Sequence, residues 1–426
     1  MEKYKKADRN ELLAEIQSVK AEYEQWCSRG LKLDMSRGKP GPDQMDLSTN
    51  LFELVNPELG YENKSGIDCR NYGGLDGLVE LKVIFSDIMQ VAPEQVIVGG
   101  NSSLNMMFDT VAQAMTHGFG DKPWMLQGKI KFICPVPGYD RHFAICEYFG
   151  IEMISVQYKD NGPDMDIVEE LVKDPTVKGM WCVPKYTNPD GIVYSDETIK
   201  RIAALKPAAK DFRVFCDNAY AVHYLTEKED SILSIYDECV KAGNSDLVII
   251  FASTSKITFP GAGVAAEAAS PANVATIKNR MSFQTIGPDK LNQLRHARMF
   301  TDMDKIHEHM KLHSKILRLK FDTVLNELDK SLTDLGIATW TKPNGGYFIS
   351  LYVTPGCAKR TIELCRNAGL ILTPAGATYP YGKDPQDSNI RIAPTYPLPN
   401  ELANASSLLC TSVKLAVLEK LLESNN

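Results

Sequence analysis

Not one pair among the ten cysteines of this 426-residue chain is spaced as C-x-x-C. That absence removes the commonest zinc and dithiol signatures. Several thiols, Cys134, Cys182 and Cys216 among them, fall inside apolar runs, where a free thiol behaves as a small hydrophobe. So long a chain needs no disulfide framework, and a reducing compartment is expected. Apolar runs of about 18 residues are also missing, and the opening MEKYKKADRNELLAEIQ carries no apolar signal core. Together these predict a cytoplasmic protein that does not span a membrane. Positive charge is in deficit: 47 Lys and Arg against 54 Asp and Glu leave a formal net charge of -7. Nucleic acids and anionic membrane surfaces both call for clustered positive charge, so neither is an expected partner. Internal repeats and low-complexity segments are absent as well.

What remains has the composition of an ordinary globular protein, 44% apolar and 24% charged, in a chain longer than one hydrophobic core can serve. Two domains are expected. Leu12, Ile16, Val19, Tyr23 and Trp26 recur at helical spacing, and Gly30 supplies a stop. An extended crossing follows, LDMSRGKPGPDQMDLS (33–48). Between about residues 75 and 270, apolar β-type runs alternate with helical patterns. The runs are QVIVG (95–99), KFIC (131–134), EMISV (152–156), GMWCV (179–183), RVFCD (213–217), LVIIFA (247–252) and GVAAEAA (263–269). Strands this apolar on both faces predict an α/β fold with a mostly parallel sheet of seven strands, covered on both sides.

After residue 290 the pattern changes to a long helical stretch (290–332), then shorter strands at 339–353 and 389–395, a smaller α+β region. His307, His309 and His313 suggest metal ligands at first sight. They lie among Glu308, Lys311 and Lys315 with no cysteine nearby, so a solvated helix face is expected, and the run Lys305 to Lys320 is predicted to be exposed. No metal is expected. The stretch Gly261 to Ala266 mimics a dinucleotide fingerprint, but its glycines precede a β-like run rather than opening a helix.

Ligand groups of open α/β sheets gather at the carboxyl ends of strands. After QVIVG comes GNSS (100–103), a glycine and two hydroxyl residues opening a helix, which suits a phosphate. After RVFC comes Asp217, and after LVIIFA come Ser253, Thr254, Ser255 and Lys256. Lysine is ordinarily a solvated surface charge. Lys256 instead follows an apolar strand and precedes a proline–glycine turn. Burial there would lower its pKa, and a neutral amine can attack a carbonyl to form an imine. Asp217 alone reads as a helix cap. Beside such an amine it supplies the carboxylate that an electron-sink cofactor requires at its pyridinium nitrogen.

Six motifs in order, GNSS, PGYDRH, YTNPDGIVYS, CDNAYAVH, STSK and NIRIAPT, make the chain resemble the fold-type-I pyridoxal-phosphate aminotransferases of class I/II. Within that class it is most similar to the bacterial aspartate aminotransferase subgroup with STSKITFPGAG around the lysine. The resemblance runs from about Asp34 to Ala393. It implies pyridoxal 5'-phosphate as cofactor and a large cofactor-binding domain over 51–305. Residues 1–50, a helix and arm, would join 306–426 in a smaller α+β domain. It also implies a homodimer with active sites at the subunit interface, and amino acid and 2-oxo acid substrates.

By the same resemblance Lys256 holds the cofactor and shuttles a proton, and Asp217 keeps the pyridine nitrogen protonated. Asn188 and Tyr220 bond the ring's 3′-oxygen, Tyr139 stacks on the ring, and Ser102, Ser103, Ser253 and Ser255 hold the phosphate. Tyr72, in RNYGGLDG, reaches the neighbouring subunit's phosphate. Arg391 grips the substrate α-carboxylate, for which a guanidinium fork is suited. Gly38 closes its backbone over the substrate. Arg280 is the expected selector of a distal carboxylate across the interface, with Arg37 as its competitor. One departure stands out: the family's phosphate arginine, in a PG-x-R-x-G pattern, is replaced here by Ala262. The implied activity is transfer of an amino group from aspartate to an acceptor such as 2-oxoglutarate. The same residues would also serve an aspartate β-decarboxylase or a β-lyase. An aminotransferase-like regulator would need a DNA-binding module, for which the 33 residues ahead of Asp34 are too few.

Overall fold

The computed structural model describes residue 4 and residues 7–227 and 229–424. All seven apolar runs become strands of one sheet: β2 (Val96–Val98), β3 (Lys131–Val136), β4 (Glu152–Lys159), β6 (Val177–Cys182), β7 (Arg213–Asp217), β8 (Val248–Ser253) and β9 (Ala265–Ala269). They follow β1 (Leu33–Asp34), which lies elsewhere. A two-residue strand, β5 (Gly162–Pro163), pairs antiparallel with β4 and adds an eighth member at the edge. The order is β2-β9-β8-β7-β6-β3-β4-β5, and β3, β4, β6, β7 and β8 run parallel. β9 runs antiparallel to both neighbours, β2 and β8. Burial on both faces explains the unbroken apolar runs: every residue of β2, β6, β7 and β9 is buried.

Two apolar clusters flank this sheet, one holding Val98, Ile133, Val214 and Ile250, the other Ile97, Phe132, Phe215 and Phe251. Alternation along each strand sends neighbours to opposite clusters. A third cluster gathers Leu12, Ile16, Val19 and Trp26 of the first helix (Arg9–Ser28) with Phe321, Leu351, Ile392 and Leu408. Its frame is a three-stranded antiparallel sheet of β10 (Ala338–Trp340), β11 (Ile349–Val353) and, beyond β12 (Leu370–Ile371), β13 (Asn389–Ile392). β1 and β12 pair as a separate parallel couple. The chain therefore returns its start to its end, as an arm packed in the second core.

Three expectations change. The stretch 339–353 is two paired strands joined through 341–348 rather than one run, because Gly345 and Gly346 pack under Tyr186 and His223. The helical stretch 290–332 breaks into Lys290–Met299 and Met303–Leu332, where Asp302 caps the second helix by accepting from the Lys305 amide. The third concerns the histidines: His307 is partly exposed, but His309 and His313 are buried, and Lys320 is only 1% exposed. Lys320 Nζ donates to Asp43 Oδ1 at 3.0 Å and to the Thr395 carbonyl at 2.9 Å. Burying these polar side chains is tolerable because each has a partner, and those partners, Asp43, Gln44 and Ser48 of the arm among them, are distant in the chain.

One buried carboxyl in the sheet has a measurable consequence. Glu267 lies on β9, where Thr110 Oγ1 is 3.1 Å from its Oε2 and 2.7 Å from the Met106 carbonyl. Burial pushes this acid from 4.5 up to about 8. The folded protein then holds a proton that the unfolded chain releases, so stability is greatest below the ordinary carboxyl pKa and declines as pH rises toward 8. Glu267→Gln should flatten that decline, narrowing the loss of unfolding free energy between about pH 5 and about pH 9 by on the order of a few kcal/mol. Denaturant unfolding at a series of pH values reads this directly, and parallel curves for the two proteins would refute it.

Candidate functional site

A cavity of about 680 Å³ opens where β7 and β8 end, bounded by the arm at 36–39, by the segment 371–377 and by Arg391 of β13. Gly38, Ser102, Ser103, Tyr139, Asn188, Asp217, Tyr220, Ser253, Ser255, Lys256 and Arg391 all line it, as does Arg37. A tight turn places Lys256: the Ile257 and Thr258 amides both donate to the Thr254 carbonyl, at 2.9 and 2.8 Å. Thr254 Oγ1 in turn accepts from the Val264 amide at 2.9 Å and so closes the loop between β8 and β9. The ammonium end lies 4.9 Å from the Tyr220 ring centre and 5.7 Å from that of Tyr347. Burial lowers the Lys256 pKa, against the opposing pull of Asp217. This amine is disposed to lose its proton.

Asp217 is the last residue of β7 and is 4% exposed. Its Oδ2 lies 3.0 Å from His142 Nε2, while its Oδ1 is buried with no hydrogen-bond partner. Such an orphaned carboxylate oxygen is costly unless a donor arrives from elsewhere. His142 is itself held, stacked on Trp181 at 4.3 Å with 4° between the rings and edge-on to Tyr139 at 5.0 Å. Burial raises the Tyr139 hydroxyl to about 12 and pushes that of Tyr220 well above its ordinary value, so both stay protonated donors.

Arg391 sits on β13, opposite Ser350 of β11. One guanidinium nitrogen, Nη1, donates to Asp140 Oδ1 at 3.0 Å and to Asn188 Oδ1 at 3.3 Å, and Nε donates to Thr373 Oγ1 at 3.3 Å. Phe348 lies under the guanidinium at 4.9 Å. Gly38 has to be glycine for a steric reason: a Cβ there would stand 2.4 Å from the Phe348 ring. The arm therefore approaches this floor by backbone alone.

Hydroxyls cluster at the opposite end. Ser102 is the N-cap of the helix Ser103–Thr116, yet its side chain caps none of the helix amides. Free N–H groups and a positive dipole end are left for an anion. Ser253 Oγ donates to Ser255 Oγ at 3.1 Å. Ala262 brings no charge; its carbonyl and that of Gly263 accept from Asn292 Nδ2 at 3.1 and 2.9 Å. The orphaned Asp217 oxygen, the buried amine and this anion-ready helix start fit a pyridinium ring bearing a phosphate, which would satisfy all three at once.

Two predicted residues lie outside the cavity. Tyr72 is 81% exposed. Arg280 lines a neighbouring cavity of about 350 Å³, where its Nη2 donates to Asp109 Oδ1 at 3.1 Å. His142 and Asp140 carry no role in the sequence reading, although both stand in the PGYDRH motif. The available signal was spacing: three residues separate Tyr139 from His142, which puts both on one face of the helix start.

Known proteins resemble this chain along almost its whole length. The profile of the family described as "Aspartate amino-transferase" matches residues 8–425. An aspartate aminotransferase of Corynebacterium glutamicum is 46% identical over 406 residues, 95% of this chain and 94% of that protein. The crystal structure of an aspartate transaminase from the same species superposes with a TM-score of 0.95 at 45% identity, covering 97% of this chain and 98% of the other. LysN, an α-aminoadipate aminotransferase of Thermus thermophilus complexed with N-(5'-phosphopyridoxyl)-L-leucine, shares the fold at a TM-score of 0.72 and 19% identity, over 94% of this chain and 95% of that one. A match along almost the whole chain leaves no part of it to another architecture: the chain belongs to the aspartate aminotransferase family, and it is an aminotransferase.

Proposed function

We propose that this aminotransferase moves an amino group from aspartate to a 2-oxo acid such as 2-oxoglutarate, with pyridoxal 5'-phosphate seated in the Lys256 cavity. The observation that carries the reading is the pairing of a buried amine with a buried carboxylate oxygen that lacks a partner. Once bound, the cofactor supplies an electron sink that stabilises negative charge at the substrate α-carbon. Lys256 Nζ, whose pKa burial lowers, accepts the α-proton and later returns it. Asp217 Oδ1 holds the protonated ring nitrogen, and His142 keeps the carboxylate turned toward it. Asn188 and Tyr220 bond the ring oxygen, and Tyr139 covers the ring face. Ser102, Ser103, Ser253 and Ser255 take the phosphate, with the helix start at 103 meeting part of the charge left uncovered by Ala262.

Arg391 receives the substrate α-carboxylate, displacing Asp140, which occupies the same guanidinium edge. Gly38 closes over it. Exposed Tyr72 supports a homodimer in which this side chain completes the partner's phosphate site. Arg280 would then select a distal carboxylate across the interface, and Arg37 is the candidate within the same chain. The reading assigns 51–305 to the large domain and 1–50 with 306–426 to the small one; the helix Met303–Leu332 spans that boundary. Among the described residues no helix is long and apolar enough to cross a membrane. We place the enzyme in the cytoplasm, in keeping with its free thiols.

The test offers amino acids singly to the purified, cofactor-loaded protein. Bleaching of the yellow colour by aspartate, with oxaloacetate formed, is the expected result. Alanine released without an acceptor would indicate the decarboxylase instead. Arg280→Ala should cost aspartate on the order of 10²-fold in kcat/KM, a charge-assisted pair's worth, while sparing monocarboxylic amino acids. An unchanged aspartate preference removes Arg280 from the site.

A further inference from the structure

Behind Lys256, on the side away from the cavity, lies a polar chain that the reaction does not use. Tyr347 donates its hydroxyl proton to the Lys256 carbonyl at 3.3 Å and accepts from Gln44 Nε2 at 2.8 Å. Gln44 Nε2 is also 3.1 Å from His313 Nδ1. His313 Nε2 is 3.1 Å from His309 Nε2, which lies 2.9 Å from the Ile257 carbonyl. Ser48 Oγ, 3.3 Å from the same His309 nitrogen, closes the ring of contacts. The Ile257 carbonyl can only accept, so the proton on His309 sits on Nε2; Gln44 Nε2 can only donate, so His313 accepts at Nδ1, and the two Nε2 atoms are in contact without a hydrogen bond between them. Gln44, Ser48 and His313 are each 1% exposed or less, and burial lowers the pKa of both histidines, which stay neutral.

The chain joins two consecutive main-chain carbonyls, those of Lys256 and Ile257, to three segments outside the eight-stranded sheet. Gln44 and Ser48 come from the arm, His309 and His313 from the helix Met303–Leu332, and Tyr347 from the approach to β11. A buried polar network is expensive unless satisfied, and a satisfied one specifies a single arrangement. Here the polar groups converge on the one turn that carries the amine.

We propose that Gln44, His309 and His313 are positioning residues that clamp the main chain at 256–257 and so hold Lys256 Nζ beside the stacked Tyr220 and Tyr347 rings. The inference rests on Lys256 as the reactive amine. Each member acts through the backbone, without touching a substrate. Reacting groups misplaced by an ångström lose rate far more than binding. The clamp is thus expected to govern turnover rather than affinity.

The experiment compares the full-length wild type with His309→Leu, His309→Gln and Gln44→Leu. His309→Leu should lower kcat roughly 10- to 100-fold with KM for the amino acid within about twofold, and His309→Gln, which keeps an N–H donor for the Ile257 carbonyl, should recover most of the loss. An independent readout is acylation of Lys256 in the cofactor-free protein as a function of pH, followed by peptide mass. A loosened amine meets more water, so its midpoint should rise in His309→Leu. Unchanged kcat and midpoint overturn the proposal, as does an equal loss in the Leu and Gln variants. Should His309→Leu not fold, Gln44→Leu, which leaves both histidines in place, must show the same fall in kcat. If borohydride fixes no cofactor to Lys256 in the wild type, the underlying reading fails instead.

Discussion

Lys256→Ala should reduce transamination by at least about 10⁴-fold and leave no cofactor fixed to position 256 after borohydride treatment. The size of the effect follows from the absence of a substitute. Among the residues lining the cavity the other basic side chains are Arg37, Lys39, Arg141 and Arg391. A guanidinium does not give up its proton in a protein. The remaining amine, Lys39, is placed 3.7 Å over the Tyr396 ring. Lys256→Arg should accordingly fail as badly as the alanine variant, although it keeps both length and charge. Retention of more than about a hundredth of the wild-type rate by either variant would mean that another base moves the proton.

Asp217→Asn is expected to lower kcat by roughly 10²–10³-fold, the cost of removing one preorganised electrostatic partner from a water-excluded site. The amide keeps the shape of the side chain and removes its negative charge. Oδ1 could then no longer hold a protonated ring nitrogen as a counter-ion, and His142 Nε2, 3.0 Å from Oδ2, would lose its carboxylate acceptor. KM should change little, because the proposed reading gives substrate binding to Arg391 and Gly38 rather than to Asp217. Steady-state kinetics with both substrates varied decide the matter: an intact kcat would show that Asp217 only buttresses His142. His142→Phe offers the reciprocal comparison. It preserves the stack on Trp181 and leaves Asp217 wholly without partners, so its kcat should fall in the same direction by a smaller factor.

Much of this was readable from residue order, and the reason is physical. β6, β7 and β8 lie between covered faces, so each appears as an uninterrupted apolar run, and chemistry-bearing residues stand out where those runs stop. Asp217 and Lys256 are conspicuous because a charge ends a stretch that admits none. His309 and His313 were misread for the converse reason. Their helix carries Lys305, Glu308 and Lys311 on one face, which suggests water, whereas their partners Gln44 and Ser48 stand more than 250 residues earlier in the chain. Local pattern cannot report a partner that arrives by tertiary contact. The same limit hid His142, whose role is set by Asp217 75 residues away. Arg280 shows a third kind of limit: within one chain it is tied to Asp109, and its proposed task belongs to an assembly of two.

The reversed direction of β9 has a further effect. A parallel neighbour to β8 would have required the chain to travel back along the sheet, through a helix, before re-entering. Because β9 runs the other way, the segment that carries Lys256 simply turns over, with its two feet in adjacent central strands, β8 and β9. Slack close to the amine would lift it out of register with Asp217, whereas the exposed turn at Pro260 and Gly261 is the one place where the segment has room. The reactive amine thus rides on a connection, 254–264, that begins and ends in the sheet itself.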